Sequence, residues 1–306
     1  MGKNLYEGKY VDESPLESYN PNESFENISI CTPFYNSRKF LNTYLHHVTL
    51  LDYPRDKLSF YFTVQGDDDT IDTLKLFQKG FSDEYKRIKI KKVKSLRGGE
   101  LPHVRNVVMC RNMLIQWSKP DTVLFIDHDN FPPPFTILRL RETAYLGGDI
   151  SGGIYEFYQK DMKDPDGPGR IGYTCFFIDK ETGEYYHSCL DRKGLFGGMA
   201  EEVLGNRVYC DGVSMGTTLI QRKVFKDTRF TIPWGTDQTD DTTFCLDAAT
   251  KGYKSVADFG CLVKHWGFDR KYLGKENGMA WFEYSIDDDM RYRRIDLNAK
   301  GIYVVE

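Results

Sequence analysis

The sequence predicts an α/β fold: a single domain built on a mixed, mostly parallel sheet flanked by helices. Three observations predict it. Strand-like and helix-like runs alternate four times over residues 28–126, the pattern of right-handed βαβ units. The last strand-like run of that series, "TVLFI", is apolar throughout, as a strand covered on both faces must be. Acids and turn residues gather where the strand-like runs end, and in a parallel sheet those carboxyl ends are where ligands sit.

Each element has its own justification. "ISICTPF" is β-rich and is expected to end at Pro33. In "SRKFLNTYLHHVTLL", Phe40, Leu41, Tyr44, Leu45 and Val48 fall at helical spacing, with Ser37 as the N-cap. "KLSFYFTV" is a second strand broken at Gly66, and the acidic turn "GDDD" leads into a second helix, "TIDTLKLFQKGF". "RIKIKKV" alternates apolar and basic residues, a third strand with a solvated basic face. "VRNVVMCRNMLIQW" is a third helix that stops near Pro120, before "TVLFI".

The second half reads differently. "ISGGIYEFYQ" and "GYTCFFIDKETGEYYHSC" are strands, the latter with a turn at residues 180–183, and "DPDGPG" is a loop. "GVSMGTTLIQRKVF" is a strand running into a short helix. "TDDTTFCLDAATKG" is a helix closed by Gly252, and "YKSVA" and "CLVKHWG" are two further strands. The Gly-rich segment at residues 191–206 lacks the Lys-Ser or Lys-Thr of a phosphate loop and reads as a lid. Residues 1–26 form a polar arm, draped on the surface or partly disordered, and residues 269–306 a C-terminal extension without a clear pattern.

Composition excludes several classes. A formal net charge of -4 argues against nucleic acid as a partner bound mainly through its phosphates. Seven cysteines show neither a Cys-x-x-Cys pair nor zinc-site spacing. Cys31, Cys110, Cys245 and Cys261 lie inside apolar runs and read as small buried hydrophobes in a reducing compartment. No run of eighteen apolar residues is present and the first residues carry no signal-peptide core, so a cytoplasmic location is expected.

The stretch "VLFIDHDNFPPP" drives a buried strand into Asp127-His128-Asp129 and then stops it with three prolines. Two carboxylates at i and i+2 on a rigid strand end suit a hard divalent cation, which takes one or two carboxylates and completes its shell with phosphates and water. Alone, the same three residues equally read as an Asx turn with solvated acids. Likewise Asp240 and Asp241, after Thr239, read either as a catalytic pair or as capping acids in a first helical turn. His265 beside Trp266 fits a metal ligand or a packed core histidine, and Trp234 fits a sugar-stacking platform or a core position.

The order of these stretches, over residues 28–267, resembles the nucleotide-sugar glycosyltransferases of the GT-A fold, closest to the family 2 type. "ISICTPFYNS" resembles that family's first strand and turn, and "LSFYFTVQGDDDT" its second strand with an acidic end. "CRNMLIQWSKPDTVLFIDHD" resembles the Ala-Arg-Asn helix leading to the Asp-x-Asp strand, with Cys110 in place of Ala. "GVSMGTTLIQRKVF" resembles the strand behind the donor sugar. "TDQTDDTTFCLDAATKGYKSVADFGCLVKH" resembles the Glu-Asp helix and the final metal-side His. The stretches around "LDYP" and "DHDN" also resemble collagen galactosyltransferases.

The resemblance implies a GT-A domain over residues 27–268, with 27–130 binding nucleotide and 131–268 binding donor sugar and acceptor. It implies Thr32, Pro33 and Tyr35 at the base, Asp67 or its rival Asp69 at base or ribose, and Arg111 near the diphosphate. Asp127 would face ribose and metal, Asp129 would bind the metal directly and His265 would complete its shell. Asp241 would be the catalytic base, placed where the helix dipole favours a carboxylate, with Asp240 replacing the family's Glu. The implied activity is Mn2+- or Mg2+-dependent transfer of a hexose from a UDP- or GDP-linked donor to a glycan, protein or lipid hydroxyl, with inversion. Three rivals are a retaining transferase on the same fold, a nucleotidyltransferase, and a non-catalytic sugar- or protein-binding module.

Overall fold

The computed structural model describes residues 9–20, 25–96, 102–118, 121–159, 170–178, 181, 185–189, 203, 205–232, 239–265, 282–286 and 292–296. The first half has the expected alternation: β1 (Ile28–Tyr35), α1 (Arg38–Thr49), β2 (Leu58–Gln65), α2 (Thr70–Phe81), β3 (Arg87–Lys92), α3 (Pro102–Trp117) and β4 (Thr122–Ile126). A two-residue strand, β5 (Asn130–Phe131), and α4 (Thr136–Tyr145) come next. Then come β6 (Ile150–Ile154), β7 (Glu156–Gln159), β8 (Arg170–Ile178), β9 (Tyr185–Cys189), β10 (Arg207–Cys210), β11 (Gly212–Val213) and β12 (Thr217–Ile220). The chain continues with α5 (Asp240–Thr250), β13 (Ser255–Leu262), β14 (Lys264–His265), β15 (Phe282–Ile286) and β16 (Tyr292–Asp296).

The central sheet has eight strands in the order β10-β13-β6-β12-β4-β1-β2-β3. β1 runs parallel to β2 and β4, β2 to β3 and β13 to β6, whereas β12 is antiparallel to both its neighbours. The sheet is therefore mixed and mostly parallel. Along β4 the apolar side chains alternate between two cores: Val123 and Phe125 join the one under α3 and α5, and Leu124 and Ile126 the one under α1, α2 and α4. A smaller sheet, β11-β8-β7 with β9 on β8, packs against the first core. Among the described residues no helix is long and apolar enough to cross a membrane.

Three local expectations are corrected. β1 does not end at Pro33 but runs on to Tyr35, because pairing with β4 stops at Cys31 and Pro33 keeps only β2 as a neighbour, an edge position where a proline is tolerated. Ser37 stands at the N-cap of α1 but makes no capping bond; its hydroxyl accepts the Tyr35 amide instead. "YKSVA" and the start of "CLVKHWG" belong to one strand, since β13 is continuous through Gly260 with a register shift against β6 between Asp258 and Leu262, and Lys264–His265 form the separate β14. The four cysteines read as hydrophobes are buried, and burial pushes the thiols of Cys245 and Cys261 up to about 12. Residues 9–11 run along the β10 edge: Tyr10 bridges Val208, and its neighbours bond Arg207 and Tyr209.

The β13 shift is held by a buried ionic cluster. Both Asp258 oxygens accept Arg139 Nε at 3.0 Å, and Oδ2 also accepts Arg207 Nε at 3.0 Å and Thr143 Oγ1 at 2.6 Å. Gly260 is required beside it, since a Cβ there would lie 2.4 Å from Arg139 Nη2. Burial alone would raise the Asp258 carboxyl; Arg139 and Arg207 outweigh it and hold it below the ordinary range. A depressed carboxyl contributes stability above its unfolded value, about 3.9, that is lost as pH falls through the folded value. Urea unfolding should therefore show stability dropping below about pH 4, and Asp258→Asn should flatten that fall while costing roughly 3–5 kcal/mol at pH 7.

Candidate active site

The carboxyl ends of β1 to β4 open into a cleft of about 1600 Å³, which the first turn of α5 also lines. Its floor is fixed by backbone ties. Asn36, with φ 45°, accepts the Asp67 amide on Oδ1 at 3.0 Å, and Gly66, with φ 90°, packs so closely that a Cβ would meet that Oδ1 at 1.9 Å. Asn106 of α3 takes the Gln65 side-chain amide at 3.0 Å and the Leu96 amide at 2.8 Å, fastening the exit of β3 to the end of β2.

The structure discriminates among the three acids of the "GDDD" turn. Asp68 accepts the Arg38 and Thr70 amides, joining the starts of α1 and α2. Asp69 pairs with Arg38 Nε at 3.0 Å, is 61% exposed and does not line the cleft. Asp67 lines it, and its carboxylate has no hydrogen-bond or salt-bridge partner among the described residues. Pro33 and Tyr35 also line the cleft. Thr32 is fully buried, with its hydroxyl 2.5 Å from that of Tyr44, and is not among the cleft-lining residues.

Asp127-His128-Asp129 is a β-turn closed by the Asn130 amide on the Asp127 carbonyl at 3.0 Å. The Asp127 amide in turn donates to the Gly216 carbonyl at 2.8 Å, tying the turn to the start of β12. Both acids are half-buried at the cleft wall. Asp127 receives Arg111 Nη2 on both oxygens, at 3.1 and 3.0 Å. The other end of the same guanidinium, Nη1, reaches Asp240 Oδ2 at 2.5 Å. Arg111 is only 5% exposed and lies over the Phe125 and Phe230 rings. It lines the cleft, yet its charge is committed to two carboxylates that burial pushes above the usual range and the guanidinium pulls back. Asp240 is thereby buried, and Asp241 is the acid of the pair that remains partly open. Asp241 Oδ1 accepts Thr239 Oγ1 and the Thr242 amide. Thr239 also caps the helix by accepting that amide at 3.5 Å.

The short strand β5 carries the chain from the acidic turn to the histidine. Asn130 pairs with His265 and Phe131 with Lys264 across β5 and β14, which brings His265 Nε2 to 3.6 Å from Asp129 Oδ2. Burial alone would raise the Asp129 carboxyl; His265 and His128 outweigh it and bring it down to about 2. Asn130 donates to Asp129 Oδ1 at 3.2 Å while its own Oδ1 is buried without a partner among the described residues. Of the three expected metal ligands, Asp129 and His265 thus meet, and Asp127 is turned to Arg111. Among the described residues no three His, Cys, Asp or Glu side chains gather to hold a metal ion by themselves. A two-ligand site fits a cation that takes the rest of its shell from a diphosphate and water. Sequence reasoning missed Tyr155, whose ring lies 4.8 Å from the His265 ring; among 20 tyrosines nothing in its local pattern marks it. Trp234, Trp266 and most of the 191–206 segment lie outside the described residues.

No family model matches the sequence, and no curated protein does. Among solved structures the chain is similar to GalNAc-T7 in complex with UDP, GalNAc and Mn2+, at 12% identity and a TM-score of 0.53 over 82% of this chain and 45% of that one. It is also similar to the mannosyltransferase PcManGT from Pyrobaculum calidifontis in complex with GDP-Man and Mn2+, at 14% identity and a TM-score of 0.51 over 83% and 61%. The chain has the GT-A fold. It spans about half the length of these two neighbours. The cleft lies at the carboxyl ends of β1 to β4, where open α/β sheets place their ligands.

Proposed function

We propose that the chain is a glycosyltransferase that moves a hexose from a nucleoside diphosphate sugar to an acceptor hydroxyl, with inversion at the anomeric carbon. The observation that carries this reading is the meeting of His265 with Asp129, which lines the cleft together with Asp67, Asp127 and Asp241. Support comes from the two GT-A neighbours, one described with UDP and GalNAc, the other with GDP-Man, and both with Mn2+.

Pro33 and Tyr35 pack on the base, and the Asp67 carboxylate accepts from base or ribose. Asp127, oriented by Arg111, meets the ribose side of the donor. Asp129 and His265 are the residues to hold Mn2+ or Mg2+, which when bound offsets charge on the departing diphosphate, imidazole in the set favouring Mn2+. Asp241 keeps Oδ1 on Thr239 and Thr242, leaving Oδ2 for the acceptor proton. The acceptor oxygen bonds to the anomeric carbon, the bond from that carbon to the phosphate oxygen breaks, and the diphosphate leaves with the electron pair.

Asp129→Ala should lower donor turnover in Mn2+ by roughly a hundredfold or more, about 3 kcal/mol of transition-state stabilisation. Near-normal turnover would end the metal role. A thermal-shift scan over UDP- and GDP-sugars, with and without Mn2+, should raise Tm for the true donor; no shift with any of them favours the non-catalytic module. NMR of the product's anomeric configuration separates inversion from retention.

A further inference from the structure

Tyr155 and His265 leave the sheet from one tie. The Val263 amide donates to the Ile154 carbonyl at 2.8 Å, so the residue after β6 and the strand β14 begin side by side. Tyr155 is then pinned through its backbone: its amide donates to Thr174 Oγ1 at 3.1 Å and its carbonyl accepts the Thr174 amide at 3.1 Å. Only 8% exposed, it has no freedom to swing away. Its ring meets the His265 imidazole with centroids 4.8 Å apart and planes at 50°, a favourable separation for paired rings.

The same ring is packed against a glycine. A Cβ at Gly216 would lie 2.4 Å from the Tyr155 hydroxyl and 2.6 Å from the ring itself. The Gly216 carbonyl is also the acceptor of the Asp127 amide. One aromatic ring therefore spans from the backbone support of the acidic turn to the imidazole beside Asp129.

We propose that Tyr155 is a positioning residue that fixes the His265 ring toward Asp129, and that Gly216 is small so that this ring can sit there. The inference rests on the reading of Asp129 and His265 as the residues that hold a divalent cation. Metal-binding imidazoles depend on a partner that sets ring orientation, and loss of such a partner costs roughly tenfold to a hundredfold in affinity. In this protein the partner includes a ring face, so the aromatic body, not the hydroxyl, carries the effect.

The test is Mn2+ binding measured by the EPR signal of free Mn2+, alone and with UDP or GDP added, on folded variants checked by circular dichroism. Tyr155→Leu should weaken Mn2+ binding by roughly tenfold or more, Tyr155→Phe should restore it to within about twofold, and Gly216→Ala should weaken it in the wild-type background. In a His265→Ala background, Tyr155→Leu should change nothing further. Unaltered Mn2+ affinity in Tyr155→Leu, or an equal loss with and without His265, overturns the positioning role. Asp129→Ala separates the two claims: if it binds Mn2+ like the wild type, the metal reading itself fails, whereas weak binding there with normal binding in Tyr155→Leu removes only the role of Tyr155. Should Tyr155→Leu not fold, Tyr155→Phe and Gly216→Ala decide: affinity lost in the Phe variant, or unchanged in the Ala variant, overturns the proposal.

Discussion

Arg111→Met is expected to cost roughly 3–5 kcal/mol of stability at neutral pH, because it strips the counter-charge from the buried Asp240 and the half-buried Asp127 at once. Asp127 and Asp240 have no other cation within salt-bridge reach among the described residues. The sign of the pH dependence distinguishes this from a packing defect. Burial raises both carboxyls and Arg111 lowers them, so without the guanidinium their folded values climb further above the unfolded value. A raised carboxyl favours the folded state at low pH and loses that contribution as pH rises. The deficit of Arg111→Met should therefore shrink on going from pH 7 to about pH 5, measured by urea unfolding of both proteins at each pH. A deficit that does not vary with pH would show that the two acids do not depend on Arg111 for their charge.

Asp241→Asn is expected to lower kcat by roughly two to four powers of ten while leaving KM for the donor and the melting temperature near wild type. The carboxamide keeps an oxygen for the Thr239 hydroxyl and the Thr242 amide, so the cap of α5 survives the change. Only the capacity to take a proton is removed. Steady-state kinetics with saturating donor checks it, and a variant that retains more than about a tenth of wild-type kcat would remove Asp241 from the base role.

Much of the first half was legible because its information is local. The apolar period sets β1 to β4 and α1 to α3, and the acids at their ends are placed by the sheet's direction. The contact between Asp129 and His265 was implied only by resemblance, since 136 residue positions separate the pair (265 − 129) and no spacing rule spans them. What stayed hidden depends on neighbours distant in sequence. Thr32 is turned to Tyr44 by the packing of α1, Asp69 is taken up by Arg38, and Arg111 is engaged by two strand and helix ends. The continuity of β13 through Gly260 was unreadable because the glycine that suggests a break is there to admit Arg139.

The lock between Asn36 and Gly66 has a consequence for how a ligand is met. Both residues hold left-handed backbone, and the amide of Asp67 is already fastened before any ligand arrives. The conformational entropy of shaping this end of the cleft is lost during folding, not on association. Affinity at this end then reflects the groups a ligand presents, and capture proceeds on a preorganised surface without a slow rearrangement of the turn.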